Sequence, residues 1–193
     1  MSAERIREAA LARFAGQGYD AASLAEIAAD VGIKPPSIYA HFPGKEALFW
    51  QLVEQAADRE LALVRESLRR PLGVGEAMRG YLYGTVERFT ADQHLRFWLR
   101  CIYLPPPGLQ GKISVHDRRF ALALEEIVGG ALRHPDFGLK EPALPFDSLA
   151  AAFIGMLRGI HAELLYCGDS DTRKTLAAMW AVFELALRGA EPV

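Results

Sequence analysis

Ser37, Tyr39, Ala40 and His41 lie in a short stretch where only Ile38 and Phe42 supply an inward face, so the remaining side chains point elsewhere. The stretch opens at Pro35-Pro36. Missing N–H groups do little harm there, because a first helical turn has no intrahelical acceptors. Gly32 separates it from an earlier helix that begins Ser23-Leu24-Ala25-Glu26. That is a capping box, in which the serine hydroxyl and the glutamate three residues on satisfy free backbone N–H groups. Two short helices about a glycine turn, the second too short and polar to be core, form the helix-turn-helix arrangement that offers its second helix to the DNA major groove. Structural helix pairs share this pattern, so spacing alone leaves DNA reading and plain packing both open.

Other chemistries find little purchase. Cys101 and Cys167 are far apart, with no CxxC spacing and no histidine pair nearby, and read as reduced, mostly buried thiols. HExxH, GxSxG, a phosphate-binding glycine loop and carboxylates paired at a recognisable spacing are all missing. No catalytic residue, metal or cofactor is expected, and the chain reads as a non-enzyme. The formal net charge is -2, and residues 1–46 hold Arg5, Arg7, Arg13, Lys34 and Lys45 against Glu4, Glu8, Asp20, Glu26, Asp30 and Glu46. DNA recognition here must depend on local placement of groups, not on bulk positive charge.

The elements that position these residues are helical throughout. Apolar residues recur at helical spacing, and no alternating β-branched run appears between turn signals, which predicts an all-α fold. A first helix from Ala3 to about Gly16 carries Ile6, Ala10 and Phe14 on one face; the second carries Leu24, Ile27, Ala28 and Val31. The third is expected to last about two turns. A fourth, after Pro43-Gly44, is expected to continue to Arg70, roughly 40 Å, and to join a small head to a larger body. Proline- and glycine-rich loops are expected at residues 71–75, 105–111 and 134–145. With 193 residues, 51% of them hydrophobic and 24% charged, the chain falls among soluble globular proteins. No stretch reaches the eighteen or so uninterrupted apolar residues of a membrane span, and the charged opening MSAERIREAALARF is unlike a secretory signal. A cytoplasmic location is therefore expected.

From residue 4 to 52 the chain resembles the TetR family of bacterial transcriptional regulators. GY, AxS, IAxxVGI, SIYxHF and the KEALF opening the fourth helix occur in order without gaps. The resemblance implies a helix-turn-helix DNA-binding domain at 1–46 and a helical ligand-binding and dimerisation domain at 47–193. It places Tyr39 and His41 at recognition-helix positions, where a phenol donates to a phosphate and an imidazole reaches a phosphate or base edge. Pro35, Pro36 and Ser37 take the groove-facing start of that helix, and Ser23 and Lys45 become phosphate contacts, Lys45 as an ammonium clamp in the first turn of the fourth helix. Many relatives have Ser-Lys-Gly or Ser-Lys-Pro where this chain has Lys34-Pro35-Pro36. An N-cap hydroxyl and two backbone donors are thus absent, and Lys34 is the compensating cation.

Beyond residue 52 the resemblance is one of helicity and length. Most aromatics lie there, as suits an apolar pocket with a few polar groups. Phe97, Arg100, Cys101, Phe120, Phe153 and His161 are the candidate ligand contacts, with His94, His116 and Glu125 as further polar candidates. Ala151, Gly155 and Gly159 form a small-residue ridge, and Trp180, Phe183 and Leu187 an apolar face, so the last two helices are the candidate dimer contact. The resulting expectation is a homodimeric, ligand-responsive repressor that binds a palindromic operator and is released by a small apolar effector. The rival readings are a helical small-molecule-binding protein or enzyme with a vestigial head, and a redox sensor using Cys101 or Cys167.

Overall fold

A computed structural model of the chain describes residues 3–69, 73–137, 142 and 144–188, and every regular element among them is helical. The order is α1 (Ala3–Gln17), α2 (Leu24–Asp30), α3 (Pro36–Tyr39), α4 (Lys45–Leu68), α5 (Val74–Phe89), α6 (Gln93–Tyr103), α7 (Gln110–Arg133), a 3-10 turn (Pro135–Phe137), α8 (Phe146–Tyr166) and α9 (Asp169–Arg188). Helix α3 is four residues long, shorter than the two turns expected. Two consecutive prolines lack N–H groups, and the turn starts on shorter bonds, Ser37 N–H to the Lys34 carbonyl and Ile38 N–H to that of Pro35. Two loops are also tighter than expected: Val74 and Gly75 already belong to α5, and Gln110 and Gly111 to α7. Pro71, Leu72 and most of 138–143 lie outside the described residues.

The chain divides into two compact units, one of Met1–Arg59 with Thr90–Val115, the other of Glu60–Phe89 with His116–Val193. The first therefore takes in α6, which the sequence assigned to the body. Its core joins Ile6, Ala10 and Phe14 of α1, Ile27 and Ala28 of α2, Ile38, Phe42, and Leu48, Phe49 and Leu52 of α4 with Leu95, Phe97 and Leu99 of α6. Phe49 meets Phe14 and Phe97 edge-on, at 5.5 and 5.6 Å between ring centres. Helix α6 starts at Asp92, whose carboxylate accepts from His94 N–H at 2.9 Å and pairs with Arg59 at 3.0 Å.

In the second unit α5, α8 and α9 bury Met78, Leu82, Phe153, Leu157, Ile160, Trp180, Phe183 and Leu187. The buried Glu60 carboxylate receives both Arg88 amino groups, at 3.0 and 2.9 Å. Gly168, at φ +78°, reverses the chain between α8 and α9. By length and composition α8 is apolar enough to cross a membrane, with a mean hydropathy of 1.3 over its most apolar window. Half of that window is buried within the fold, as expected of a core helix.

Candidate nucleic-acid interface

The approach to α3 is set by its neighbours. Ser23 Oγ accepts the Glu26 N–H at 3.2 Å while the Glu26 carboxylate accepts the Ser23 N–H at 2.9 Å, closing the capping box. These bonds from Ser23, with Arg13 nearby, hold the Glu26 carboxyl below its usual pKa. Arg13 of α1 forks onto Asp30 at 2.7 and 2.8 Å and reaches Glu26 at 3.2 Å, so one side chain ties both ends of α2 to α1. The chain then turns at Gly32, φ +73°, where Ile33 N–H closes onto the Ala28 carbonyl at 2.9 Å. This turn aims α3.

Ile38 is 0% exposed and Phe42 1%, and they anchor the stub to the core. Lys34, Pro35, Pro36, Ser37, Ala40 and His41 are exposed, and the Tyr39 ring is 59% exposed. Apolar anchors below and a phenol, imidazole, hydroxyl and ammonium above make a surface that can donate to phosphates and reach base edges. Pro35 caps α3 without a side-chain bond, as its residue type dictates.

Two sequence-predicted contacts have other commitments. The Ser23 hydroxyl is exposed but already serves the capping box. Lys45 does not reach outward as a free cation. Its Nζ donates to the Tyr19 carbonyl at 2.9 Å and the Ala22 carbonyl at 3.0 Å, and lies 4.3 Å from the centre of the Tyr19 ring. The side chain thus ties the start of α4 to the α1–α2 turn.

A family model described as "Bacterial regulatory proteins, tetR family" matches residues 6–52, the segment that builds this surface. This segment is of the TetR family. The HTH-type transcriptional repressor BdcR of Escherichia coli (strain K12) is 33% identical over 89 residues, which is 46% of this chain and 45% of BdcR. The HTH-type transcriptional repressor AcnR of Corynebacterium diphtheriae is 26% identical over 199 residues, covering 100% of this chain and 94% of AcnR. Among solved structures, the transcriptional regulator FadR from Bacillus subtilis in complex with stearoyl-CoA matches with a TM-score of 0.67 at 18% identity, covering 98% of this chain and 100% of that one. The likeness to FadR concerns the fold alone.

The six candidate ligand contacts separate. Phe97, Arg100 and Cys101 line one cleft of about 250 Å³ in the first unit, together with Phe14, Tyr19, Phe49 and Pro105, Pro106 and Pro107. Phe120, Phe153 and His161 are buried in the second unit and do not line it. Burial, and then the positive charges of Arg88 and Arg158, depress the His161 pKa to about 3, so the ring is neutral. Cys101 is buried and its thiol is pushed well above the usual range, which disfavours the reactive thiolate; Cys167 is exposed. The sequence reading missed Gly18, Tyr19 and the three prolines as cleft residues. The signal was available in part, since a glycine ending a helix and a proline run leaving one both mark backbone that side chains can approach.

On the last two helices the residues also divide. Trp180, Phe183 and Leu187 face the interior of their own unit, 5% exposed each, and do not form an outer apolar face as the sequence suggested. The outward apolar residues are Val182 and Leu185 of α9 and Tyr166 of α8, with Ala151, Ala152 and Gly155 exposed along α8.

Proposed function

We propose that this TetR-family regulator is a homodimeric repressor that reads a palindromic operator through two copies of α3 and is released by a small, largely apolar effector. The observation that carries the reading is the exposure of Pro35, Pro36, Ser37, Tyr39 and His41 on a stub anchored by Ile38 and Phe42. In this reading Tyr39 and His41 contact phosphates and base edges, and Lys34 supplies the cation that the two prolines leave wanting. Lys45 acts one step back, fixing the start of α4 against the turn before α2. Ser23 adds a phosphate contact when its one hydroxyl proton turns from the Glu26 carboxylate to a phosphate oxygen, the oxygen still accepting the Glu26 N–H.

The dimer is proposed to form through α8 and α9, on the face where small residues let another helix approach and Val182, Leu185 and Tyr166 supply apolar area. Two-fold symmetry then sets the recognition helices about one DNA turn apart, roughly 34 Å. The FadR structure holds an acyl-CoA. An effector with an apolar body is carried to this chain as a class only, and its site is taken up below. Location in the cytoplasm, with DNA as the macromolecular partner, belongs to the same reading.

Selection of bound fragments from a random DNA pool tests it: an inverted repeat is expected. Tyr39→Ala, which removes an exposed ring, should weaken retardation of that DNA by about tenfold or more with the melting temperature unchanged. Recovery of no enriched sequence, or unchanged affinity in the variant, refutes the reading.

A further inference from the structure

The cleft of the first unit lies where the end of α1, the α1–α2 turn, α4 and the end of α6 converge. Its base is aromatic, with Phe14, Phe49 and Phe97 buried against one another, and its rim is the run Pro105, Pro106 and Pro107. One cation enters it. The Arg100 guanidinium lies against Gly18, so close that a Cβ at that position would sit 3.1 Å from both Nε and Nη2. Gly18 also has φ +87°, a conformation that favours glycine, so the backbone and the guanidinium accommodate each other only with this residue. Among the described residues no carboxylate or carbonyl takes a hydrogen bond from that guanidinium, although it is half-buried. A planar fork of donors without an acceptor, in one cleft with buried aromatic rings, matches a planar anion attached to a ring.

We infer that this cleft binds a small aryl monocarboxylate, with the carboxylate paired to Arg100 and the ring lodged against Phe97 and the three prolines. Asp20 also lines the cleft, but it is exposed, where water screens its charge. The volume, about 250 Å³, suits a single-ring acid and not a long acyl chain.

The position gives the ligand a route to the DNA-binding surface. Tyr19 lines the cleft, its ring packs on Phe49 at 4.8 Å, and its carbonyl accepts the Lys45 ammonium that fixes α4. A ligand that binds one placement of the α1–α2 turn better than another biases α4 and α2 by that difference in affinity. This effect on DNA rests on the repressor reading above; the cleft itself does not.

Calorimetric titration of the full-length protein with benzoate, and with benzamide as the uncharged counterpart, tests the site. Benzoate is expected to bind at least about tenfold more tightly than benzamide, and Arg100→Gln to remove that difference. Leu104→Trp, which adds bulk at a half-exposed lining residue, should weaken both ligands and guards against Arg100→Gln failing to fold. Equal affinity for the two ligands, no binding of either, or a benzoate preference that survives Arg100→Gln overturns the inference. Gel retardation of the selected operator separates the two readings. Operator binding without benzoate binding removes the cleft assignment alone, whereas benzoate binding without operator binding leaves the cleft and removes the repressor.

Discussion

His161 shows how far a single side chain can depart from its residue type. An exposed histidine would titrate near neutrality; this one lies inside α8's buried face with Arg88 and Arg158 close enough to oppose a further positive charge. Burial contributes most, the two arginines less, and together they take the pKa from 6.5 to about 3. Between those values the unfolded chain takes up a proton that the folded chain refuses. The stability contributed by the neutral ring is therefore whole above pH 6.5 and is lost as the pH falls toward 3. At about 1.4 kcal/mol per pH unit, the loss between neutrality and pH 5 is about 2 kcal/mol. Urea midpoints measured at pH 7 and pH 5 should fall for the parent and fall less for His161→Gln. Parallel lines for the two proteins would mean that the ring protonates in place.

At the scale of elements, α2 is a seven-residue helix, too short to persist by itself, and it depends on its ends and on Arg13. Ser23→Ala removes the hydroxyl that accepts the Glu26 N–H and should cost about 1 kcal/mol, whereas Ser23→Gly should cost only a few tenths. The pair separates two roles. A loss of operator affinity shared by both variants reports the phosphate contact, and a loss confined to alanine reports misplacement of α2, read against their thermal melts. This cap was legible in the sequence because S-x-x-E acts within four residues, and so were Gly32 and the Ile38/Phe42 anchor. The bonds of Lys45 are not legible there for the converse reason: its acceptors, the carbonyls of Tyr19 and Ala22, lie more than twenty residues away and come within reach only when α4 packs. The membership of α6 in the first unit is equally non-local, resting on contacts between residues 3–17 and 93–103. The four-residue length of α3 is less legible, because a two-proline start costs a first turn no intrahelical bond and yet obliges its first bonds to be short-range.

For the whole molecule, the decisive question is what covers Val182 and Leu185, 71% and 69% exposed on α9. Their periodicity relative to Trp180, Phe183 and Leu187 explains the misassignment in the sequence: one helix is apolar on two faces, and only packing shows which faces its own unit. Replacing both with glutamate touches no buried contact, so the protomer should fold with little change in melting temperature. A dimer packed through that face would have to bury like charges opposite one another, and should dissociate in sedimentation or light scattering. The change should then appear on DNA in a form that misfolding would not imitate. The logarithm of affinity falls with the logarithm of salt at about 0.9 per phosphate neutralised, so a regulator that grips two half-sites has about twice the slope of one that grips a single half-site. Val182→Glu with Leu185→Glu should therefore lower operator affinity and halve the salt slope together. A lowered affinity with the full slope would mean that both heads still reach DNA and that the subunits meet through some other face.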